Sequence, residues 1–151
     1  MRKENKMSEL ELRVYLEDGG IEPKKGHEDD AGYDLFAPEE VMIEPGKRKF
    51  VDSKVRMLIP SGYAGRICSK SGLNVKFDIH SNEGLIDAGY TGTIGLVIEN
   101  HSSSVKIFKK GDKLTQLVIF PIPSTKITLV NSLEDLGSSE RGAGGFGSTG
   151  K

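Results

Sequence analysis

The chain has 151 residues, with 21 basic and 22 acidic side chains and a formal net charge of −1. This balance excludes a global attraction to nucleic acid or to a membrane surface, so any binding of anions must be local. A single cysteine, Cys68, excludes an intrachain disulfide, and together with the scattered His27, His80 and His101 it does not make a zinc site.

The chain begins with MRKENKMSEL, which lacks the apolar segment of a signal peptide, and no later run approaches the length of a membrane span. We therefore expect a soluble protein that stays inside the cell. Apolar and polar side chains alternate from Leu10 to Glu17, and this period of two predicts a half-buried strand. The next stretch, GGIEPKKGHEDDAG, is rich in turn formers and charges, which indicates a long surface loop.

Short apolar runs then follow one another, separated by turn signals such as Pro60-Ser61-Gly62. No window shows a sustained period of 3.6 residues, and only SLEDL at 132–136 is a candidate helical turn. This pattern predicts an all-β sandwich or barrel in one domain over 1–151, with a core over about 9–131 and an arm over about 132–151. The runs are VMI (41–43), VRMLI (55–59), YAGRIC (63–68), TIGLVIE (93–99), VKIF (105–108), LTQLVIFPI (114–122) and KITLV (126–130).

The glycine-rich end of the chain, RGAGGFGSTGK, is the first candidate site. It is similar to a phosphate-binding P-loop, but it has no lysine before the hydroxyl residues and no helix behind it, so a P-loop is excluded. Its parts still suit a nucleotide, because glycine backbone and Arg141 can contact phosphate, Ser148 and Thr149 can donate, and Phe146 can stack on a base. A flexible, unstructured end is the competing interpretation.

The stretch GRICSKSGLN (65–74) is the second candidate. It places Lys70 and two hydroxyls at the end of a strand, which suits either an oxyanion cradle or an ordinary polar turn. Cys68 has no neighbouring histidine to activate it, so we expect it to pack rather than to react.

The third candidate, EGLIDAGYTGTIGLVIEN (83–100), carries an acid and a tyrosine around a predicted hairpin turn. Asp87 is either a general base at a rigid strand end or only a turn former. Tyr90 either packs or forms the wall of a small-molecule pocket. Two further polar residues lie among apolar neighbours: Asp34, for which an arginine is the natural partner, and Gln116, whose amide must be satisfied by backbone or by a ligand.

Five segments, taken together and in this order, resemble the motifs of the trimeric dUTP pyrophosphatases, the dUTPases. They are AGYDL, SKSGL, GLIDAGYTG, GDKLTQL and RGAGGFGSTG, and they extend from about Ala31 to Gly150. The resemblance implies a jelly-roll-like β subunit, a homotrimer whose active sites are shared between subunits, and a flexible arm that closes over bound nucleotide. It also implies hydrolysis of dUTP to dUMP and pyrophosphate, with Mg²⁺ carried on the substrate phosphates rather than by protein ligands.

The resemblance also assigns roles to single residues. Asp87 would activate the attacking water, Tyr90 would exclude a 2′-hydroxyl, and Asp34 would support the site from behind. The backbone of Gly84, Leu85 and Ile86 would read the uracil edge. The other expected substrate contacts are Lys70, Ser71, Gly72, Asn82, Gln116, Arg141, Phe146, Gly147, Ser148 and Thr149.

Two positions depart from the family pattern. Lys70 stands where arginine is usual, which keeps the charge but loses the bidentate fork, so we expect weaker or slower handling of the triphosphate. Ser81 stands where many members have asparagine, with Asn82 beside it, and this leaves the uracil contact from that position open.

Two rival functions remain. The dCTP deaminases share the fold but lack the glycine-rich arm, so the arm favours hydrolysis. A dUTP-binding regulatory protein on the same scaffold, with weak catalysis, is the alternative from another class. We expect no nucleic acid or membrane partner, and a cytoplasmic location, or a nuclear one in a eukaryotic or virus-infected cell.

Overall fold

The structure is a computed structural model that describes residues 10–145. Its strands are all paired antiparallel. The elements are β1 Arg13–Leu16, β2 Gly32–Phe36, β3 Val41–Ile43, β4 Arg48–Leu58, β5 Tyr63–Cys68, α1 Ser71–Phe77, β6 Ile79–Ser81, β7 Gly84–Ile86, β8 Thr93–Asn100, β9 Lys106–Phe108 and β10 Lys113–Pro121.

Two open four-stranded sheets and one two-stranded ribbon make up the fold. The first sheet has the order β1-β4-β8-β6, the second has the order β2-β10-β5-β7, and β3 pairs with β9. The alternation of apolar and polar residues explains this arrangement, because one side of each strand can then be buried against the opposite sheet. In β8, for example, Ile94, Leu96 and Ile98 are buried while the residues between them are not. The predicted all-β class is confirmed.

One cluster of buried side chains joins the two sheets. It includes Val55 and Leu96 from the first sheet and Leu35, Ile67 and Leu117 from the second. The inner faces of the sheets therefore share a core, as in a β-sandwich. The predicted domain boundaries stay a prediction, and the last strand of the described residues ends at Pro121, before the predicted core limit.

Several local predictions differ from the structure. The stretch SKSGL leads into helix α1 rather than a turn. The sequence did not predict this helix, because a helix that buries none of its residues has no apolar period of 3.6 residues. The run KITLV is not part of any sheet in the described residues, with Ile127 88% and Leu129 90% exposed. The stretch SLEDL forms hydrogen-bonded turns and no helix. Strand β1, predicted to be half buried, is exposed along its length in the single chain.

The predicted hairpin around Asp87 is also wrong. Strand β7 pairs only with β5 in the second sheet, whereas β8 pairs with β4 and β6 in the first. The turn between Ile86 and Thr93 therefore crosses from one sheet to the other. A short turn looks the same in sequence whether it joins paired strands or crosses a sandwich, since strand pairing is decided by distant residues.

Candidate active site

Asp87 and Tyr90 lie in the crossing turn and line one cavity of about 340 Å³. Strand β7 brings Gly84, Leu85 and Ile86 to the same cavity, because it is held against β5 through the pairs Gly65–Ile86 and Arg66–Leu85. Asp87 follows this strand directly and is exposed. We call residues 84–90 the turn half-site. It presents backbone groups, a carboxylate and a phenol ring to a single space.

The ring of Tyr90 is held by its own turn. Its hydroxyl donates to the carbonyl oxygen of Thr93 at 3.0 Å. The ring also lies over Gly92, where a Cβ atom would overlap the phenol oxygen and ring carbons. Glycine at position 92 therefore leaves the space that the ring occupies. This makes Gly92 a functional candidate that the sequence analysis did not single out, although it stands as the last residue of GLIDAGYTG.

A second group of polar residues is built around Asp34, whose side chain is almost fully buried. The carboxylate accepts hydrogen bonds from the ammonium groups of Lys70 and Lys113, the latter at 2.8 Å. Burial alone would raise the pKa of Asp34, but the hydrogen bonds and positive charges of the two lysines outweigh it and lower that pKa. The predicted arginine partner is thus replaced by two lysines.

The contact with Asp34 also shifts the pKa of Lys113. The hydrogen bond to Asp34 and the attraction of its negative charge raise the pKa of Lys113. Sequence reasoning missed this residue, although it stands within GDKLTQL, three residues before Gln116. The pairing of β10 with β2, which sets Gln116 opposite Asp34, is what brings it to the carboxylate.

Gln116 lies in the same region, with its amide satisfied by backbone. Its side-chain nitrogen donates to the carbonyl oxygen of Ser69 at 3.0 Å. The side chain passes close to Gly32, where an added Cβ would lie 2.7 Å from the amide oxygen. The glycine of AGYDL thus leaves room for the glutamine of GDKLTQL, which links two motifs that are far apart in sequence.

Ser71 and Gly72 begin helix α1 and are exposed, next to Lys70 in the position before the helix. The first N–H groups of a helix have no partner within it, so they are available to other acceptors. We call Asp34, Lys113, Gln116 and residues 70–72 the lysine half-site. Lys70, Gly72 and Lys113 line a second cavity of about 360 Å³.

The two half-sites do not meet within one chain. The cavity at Asp87 and the cavity at Lys70 have no lining residue in common. Strand β5 lies between them, since it pairs with β7 on one side and with β10 on the other. The residues that the resemblance assigns to one site are therefore divided between two surfaces of the chain.

Asn82 and Ser81 take different directions at the end of β6. Ser81 is buried and faces inward. Asn82 lies beside Glu99, whose pKa is lowered first by the hydrogen bond from His101 and also by Asn82. Asn82 is not among the residues that line the cavity at Asp87. Its predicted contact with substrate stays a prediction.

The glycine-rich arm is described only as far as Gly145. Arg141 is exposed, and its Nε donates to the carbonyl oxygen of Gly144 at 2.8 Å, a contact within the arm itself. The predicted contacts from Phe146, Gly147, Ser148 and Thr149 lie outside the described residues.

Within residues 10–145 there is no group of three or more histidine, cysteine or acidic side chains that could hold a metal ion. No helix in that range is long and apolar enough to cross a membrane. His80 and His101 each hydrogen-bond a carboxylate, of Asp78 and Glu99 respectively, and their rings are 4.8 Å apart.

Comparisons with known proteins show the family and the fold to which this chain is similar. A family model described as dUTPase matches residues 19–150. The chain is 40% identical over 152 residues to the deoxyuridine 5'-triphosphate nucleotidohydrolase of Candida albicans, a match that covers 100% of this chain and 95% of the relative.

Solved structures with a similar fold include two phage proteins. The Staphylococcus bacteriophage 80alpha dUTPase with dUPNHPP matches with a TM-score of 0.82 and 32% identity, over 93% of this chain and 99% of the phage chain. Phage dUTPases are described there as controlling the transfer of virulence genes by a G protein-like mechanism. A mutant dUTPase from phage phi11 of S. aureus, in which a structural Mg(II) ion is coordinated, matches with a TM-score of 0.76 and 31% identity, over 82% and 99%.

Proposed function

The chain belongs to the dUTPase family, and from this premise we propose that it is a dUTP diphosphatase that hydrolyses dUTP to dUMP and pyrophosphate. The observation that carries the proposal is the single cavity shared by Asp87, Tyr90 and the exposed backbone of β7. One carboxylate, one ring and a row of backbone groups around one space suit a nucleotide whose base, sugar and α-phosphate are all recognised.

Asp87 acts as the general base in this proposal. It takes a proton from a water molecule, whose oxygen forms a bond to the α-phosphorus as the bond from that phosphorus to the bridging oxygen breaks. Pyrophosphate leaves with the electron pair, and dUMP remains. The position of Asp87 at the end of a paired strand supports this role, because a base on a held backbone keeps its distance to the reacting atoms.

The selection of dUTP over other nucleotides falls to the rest of the turn half-site. The backbone of Gly84, Leu85 and Ile86 hydrogen-bonds the uracil edge, and Tyr90 lies against the deoxyribose. A ring that is held by Thr93 and Gly92 cannot move away easily, so a 2′-hydroxyl meets a fixed wall. This steric selection is the reason for expecting UTP to be rejected.

The lysine half-site binds the phosphates. Lys70 supplies the positive charge, with Ser71, Gly72 and Gln116 as further donors, and Arg141, Ser148 and Thr149 join from the arm. Gly147 lets the arm approach closely, and Phe146 covers the uracil ring. Asp34 holds the Lys70 ammonium in place, which supports its expected position behind the substrate contacts.

Mg²⁺ fits this donor set as an ion bound to the substrate. Mg²⁺ keeps several waters and binds phosphate oxygens readily. When bound there, the ion neutralises negative charge on the triphosphate. The chain's own residues then orient the phosphates and hold the base.

We also propose that three copies assemble and complete one another's sites. Two observations support this: the half-sites lie on separate surfaces of one chain, and large apolar side chains are exposed. Leu85 is 71%, Phe50 66% and Ile127 88% exposed, and burial of these side chains against another copy would be favourable. In this proposal a neighbouring copy brings the turn half-site of one chain to the lysine half-site of another.

A regulatory role is the second candidate. Lys70 in place of arginine predicts slower handling of the triphosphate, and the 80alpha dUTPase to which this chain is similar is described as a controller of gene transfer. In this alternative, dUTP is bound as a signal with weak hydrolysis. In either case the protein would act in the cytoplasm or nucleus, where dUTP hydrolysis limits uracil in DNA and supplies dUMP for thymidylate synthesis.

The test is pyrophosphate release from dUTP, UTP, dTTP and dCTP with Mg²⁺, for the wild type and Asp87→Asn. We expect release from dUTP alone, and a reduction of about 10²- to 10⁴-fold in kcat for the variant, as is typical for a lost general base. The Asp87→Asn variant should still bind the dUTP analogue dUpNHpp. Light scattering on the same samples should give three times the mass of one chain.

The outcomes separate the candidates. Binding of dUTP by the wild type without cleavage of any nucleotide would favour the regulatory role. Release of ammonia from dCTP would favour a deaminase. A monomer with full activity would contradict the proposal of shared sites.

A further inference from the structure

Three buried or half-buried hydroxyl groups meet at the end of the sandwich that carries the lysine half-site. Ser69 follows β5, Ser81 ends β6, and Thr115 lies in β10. Strands β5 and β10 belong to the second sheet, whereas β6 belongs to the first. We call Ser69, Ser81 and Thr115 the hydroxyl cluster; it connects the two sheets by hydrogen bonds.

The bonds of the cluster run continuously from one sheet to the other. The Ser69 hydroxyl donates to the carbonyl oxygen of Ser81 at 3.0 Å and accepts from the Ser81 N–H at 2.7 Å. The Ser81 hydroxyl lies 3.0 Å from that of Thr115. The Thr115 hydroxyl in turn donates to the carbonyl oxygen of Cys68 at 2.6 Å.

Counting protons settles which hydroxyl donates to which. Ser69 uses its one proton on the Ser81 carbonyl, and Thr115 uses its own on the Cys68 carbonyl. The proton between Ser81 and Thr115 must therefore come from Ser81, with Ser69 Oγ 3.2 Å away as a second acceptor. Ser81 is thus the donor that closes the connection, and it stands where many family members have asparagine.

Two members of the cluster adjoin residues of the lysine half-site, and Ser81 is hydrogen-bonded to both of them. Ser69 directly precedes Lys70, and its carbonyl oxygen accepts the hydrogen bond from the Gln116 amide. Thr115 directly precedes Gln116. Lys70 is therefore held at two points, with its ammonium on Asp34 and its backbone next to the cluster. Such support is needed because a lysine side chain is a flexible four-carbon chain and lacks the planar guanidinium group that orients an arginine.

From this geometry we infer that Ser81 is a positioning residue: through the hydroxyl cluster it sets the segment from Lys70 to Gly72 and the Gln116 amide at the spacing that binds the distal phosphates of the substrate. The inference rests on the proposed function and deepens it. Hydrogen bonds suit this task because their strength depends on direction, whereas the apolar contacts of the sandwich allow small sliding movements.

The inference makes a prediction about which ligand is affected. In the proposed function the lysine half-site binds the triphosphate chain, and a monophosphate lacks the β- and γ-phosphates of that chain. Loss of the Ser81 hydroxyl should therefore weaken binding of dUpNHpp, the dUTP analogue, and leave binding of dUMP unchanged. A residue that only contributes to stability would not distinguish the two ligands.

The experiment measures dissociation constants for dUpNHpp and dUMP by calorimetry, with Mg²⁺, on the full chain. We expect Ser81→Ala to bind dUpNHpp about fivefold more weakly, the equivalent of one lost hydrogen bond, with dUMP within twofold of the wild type. Thr115→Val should act in the same direction, and Thr115→Ser, which restores a hydroxyl, should bind like the wild type. The double variant should be no weaker than Thr115→Val alone, since Thr115→Val already removes the Ser81–Thr115 bond together with the bond to the Cys68 carbonyl oxygen.

Ser53→Ala is the matched control. Ser53 is another buried serine, and its hydroxyl accepts from the N–H of Val55 in the same strand, β4, which contributes no residue to either half-site. It should lower the melting temperature without changing either affinity. If Ser81→Ala proves unstable, the Thr115→Val and Thr115→Ser pair makes the same comparison.

If Ser81→Ala left both affinities unchanged, or lowered both of them equally, the inference would be overturned and the proposed function would stay intact. Failure of the wild type to bind either ligand would instead overturn the proposed function itself.

Discussion

The two half-sites are built in different ways. The turn half-site is local: β7, the crossing turn and the contact of Tyr90 with Gly92 and Thr93 all lie between residues 84 and 93. The lysine half-site is assembled from three separate segments, which meet only because β2, β5 and β10 are neighbours in one sheet. It depends on a buried carboxylate and on hydrogen bonds between residues that are far apart in sequence.

The difference suggests a division of labour. A short local turn can hold a base and a ring with few contacts, so it suits the chemistry and the choice of nucleotide. A cluster of cations needs a counter-charge and a rigid support, because like charges repel and long side chains are mobile. Changes in one half-site should therefore alter different kinetic quantities from changes in the other.

Asp34→Asn should have the largest effect of the changes that test this contrast. It removes the buried counter-charge of two lysines, so we expect a loss of about 1–3 kcal/mol in the free energy of unfolding and much weaker binding of dUpNHpp. The effect on stability should depend on pH. Because the pKa of Asp34 is lower in the folded chain than the ordinary value of 3.8, its contribution is complete above that value and is lost as the pH falls through the folded pKa.

The measurement is urea unfolding of the wild type and the variant from pH 7 to pH 2. The gap between their stabilities should stay constant at neutral pH and close at the acid end. Asp52→Asn is the control: the pKa of Asp52 is lowered chiefly by the N–H of Lys54, a neighbour in the same strand, and also by the side chain of Thr93. These partners lie outside the lysine half-site, so the loss of Asp52 should leave the affinity for pyrophosphate, the part of the substrate bound there, unchanged. Equal losses of affinity in both variants would contradict the claim that Asp34 supports the lysine half-site specifically.

Gly92→Ala should have an intermediate effect, confined to the turn half-site. The added methyl would displace the Tyr90 ring, so we expect the preference for dUTP over UTP, measured as the ratio of kcat/KM values, to fall by about tenfold. Affinity for pyrophosphate, which needs only the lysine half-site, should not change.

Tyr90→Phe serves as the comparison for Gly92→Ala. It keeps the ring over Gly92 but loses the hydrogen bond to Thr93. A loss of selectivity in Gly92→Ala alone would assign selection to the ring's position; a similar loss in both would assign it to the hydroxyl. An unchanged ratio in Gly92→Ala would contradict the role of the glycine.

Lys70→Arg should have the smallest effect. Arginine restores a bidentate fork toward phosphate, and we expect binding of dUpNHpp to tighten by about threefold, with dUMP unaffected. Lys49→Arg is the control and should change nothing, because Lys49 is an exposed residue of β4 that lines neither cavity. Weaker binding in Lys70→Arg would mean that the space beside Asp34 is shaped for lysine.

Much of this arrangement could be predicted from the sequence. The all-β class, the strands over VMI and YAGRIC, and the candidates Asp87, Tyr90, Asp34, Lys70 and Gln116 all follow from period-two patterns or from motifs that are continuous in the chain. Such features depend on neighbouring residues, so they can be recognised before the fold is known. The family itself was identified from five short segments in the right order.

Other features depend on contacts between distant residues. Helix α1 was missed because a helix without a buried face has no apolar period, and the hairpin at Asp87 was wrong because the two flanking strands pair with different sheets. Lys113 as a partner of Asp34, and Ser81 as a partner of Ser69 and Thr115, could not be derived from spacing. These pairs form only when β2, β5, β6 and β10 are packed together.

The sequence by itself determined which chemical groups this protein has, because the motifs are local and each residue type carries its own charge, donors and shape. Only the tertiary structure decided which groups act together. It separates Asp87 from Lys70 by a strand and joins Lys70 to Asp34 and Ser69 to Ser81, since burial and strand pairing bring distant segments within the length of a hydrogen bond.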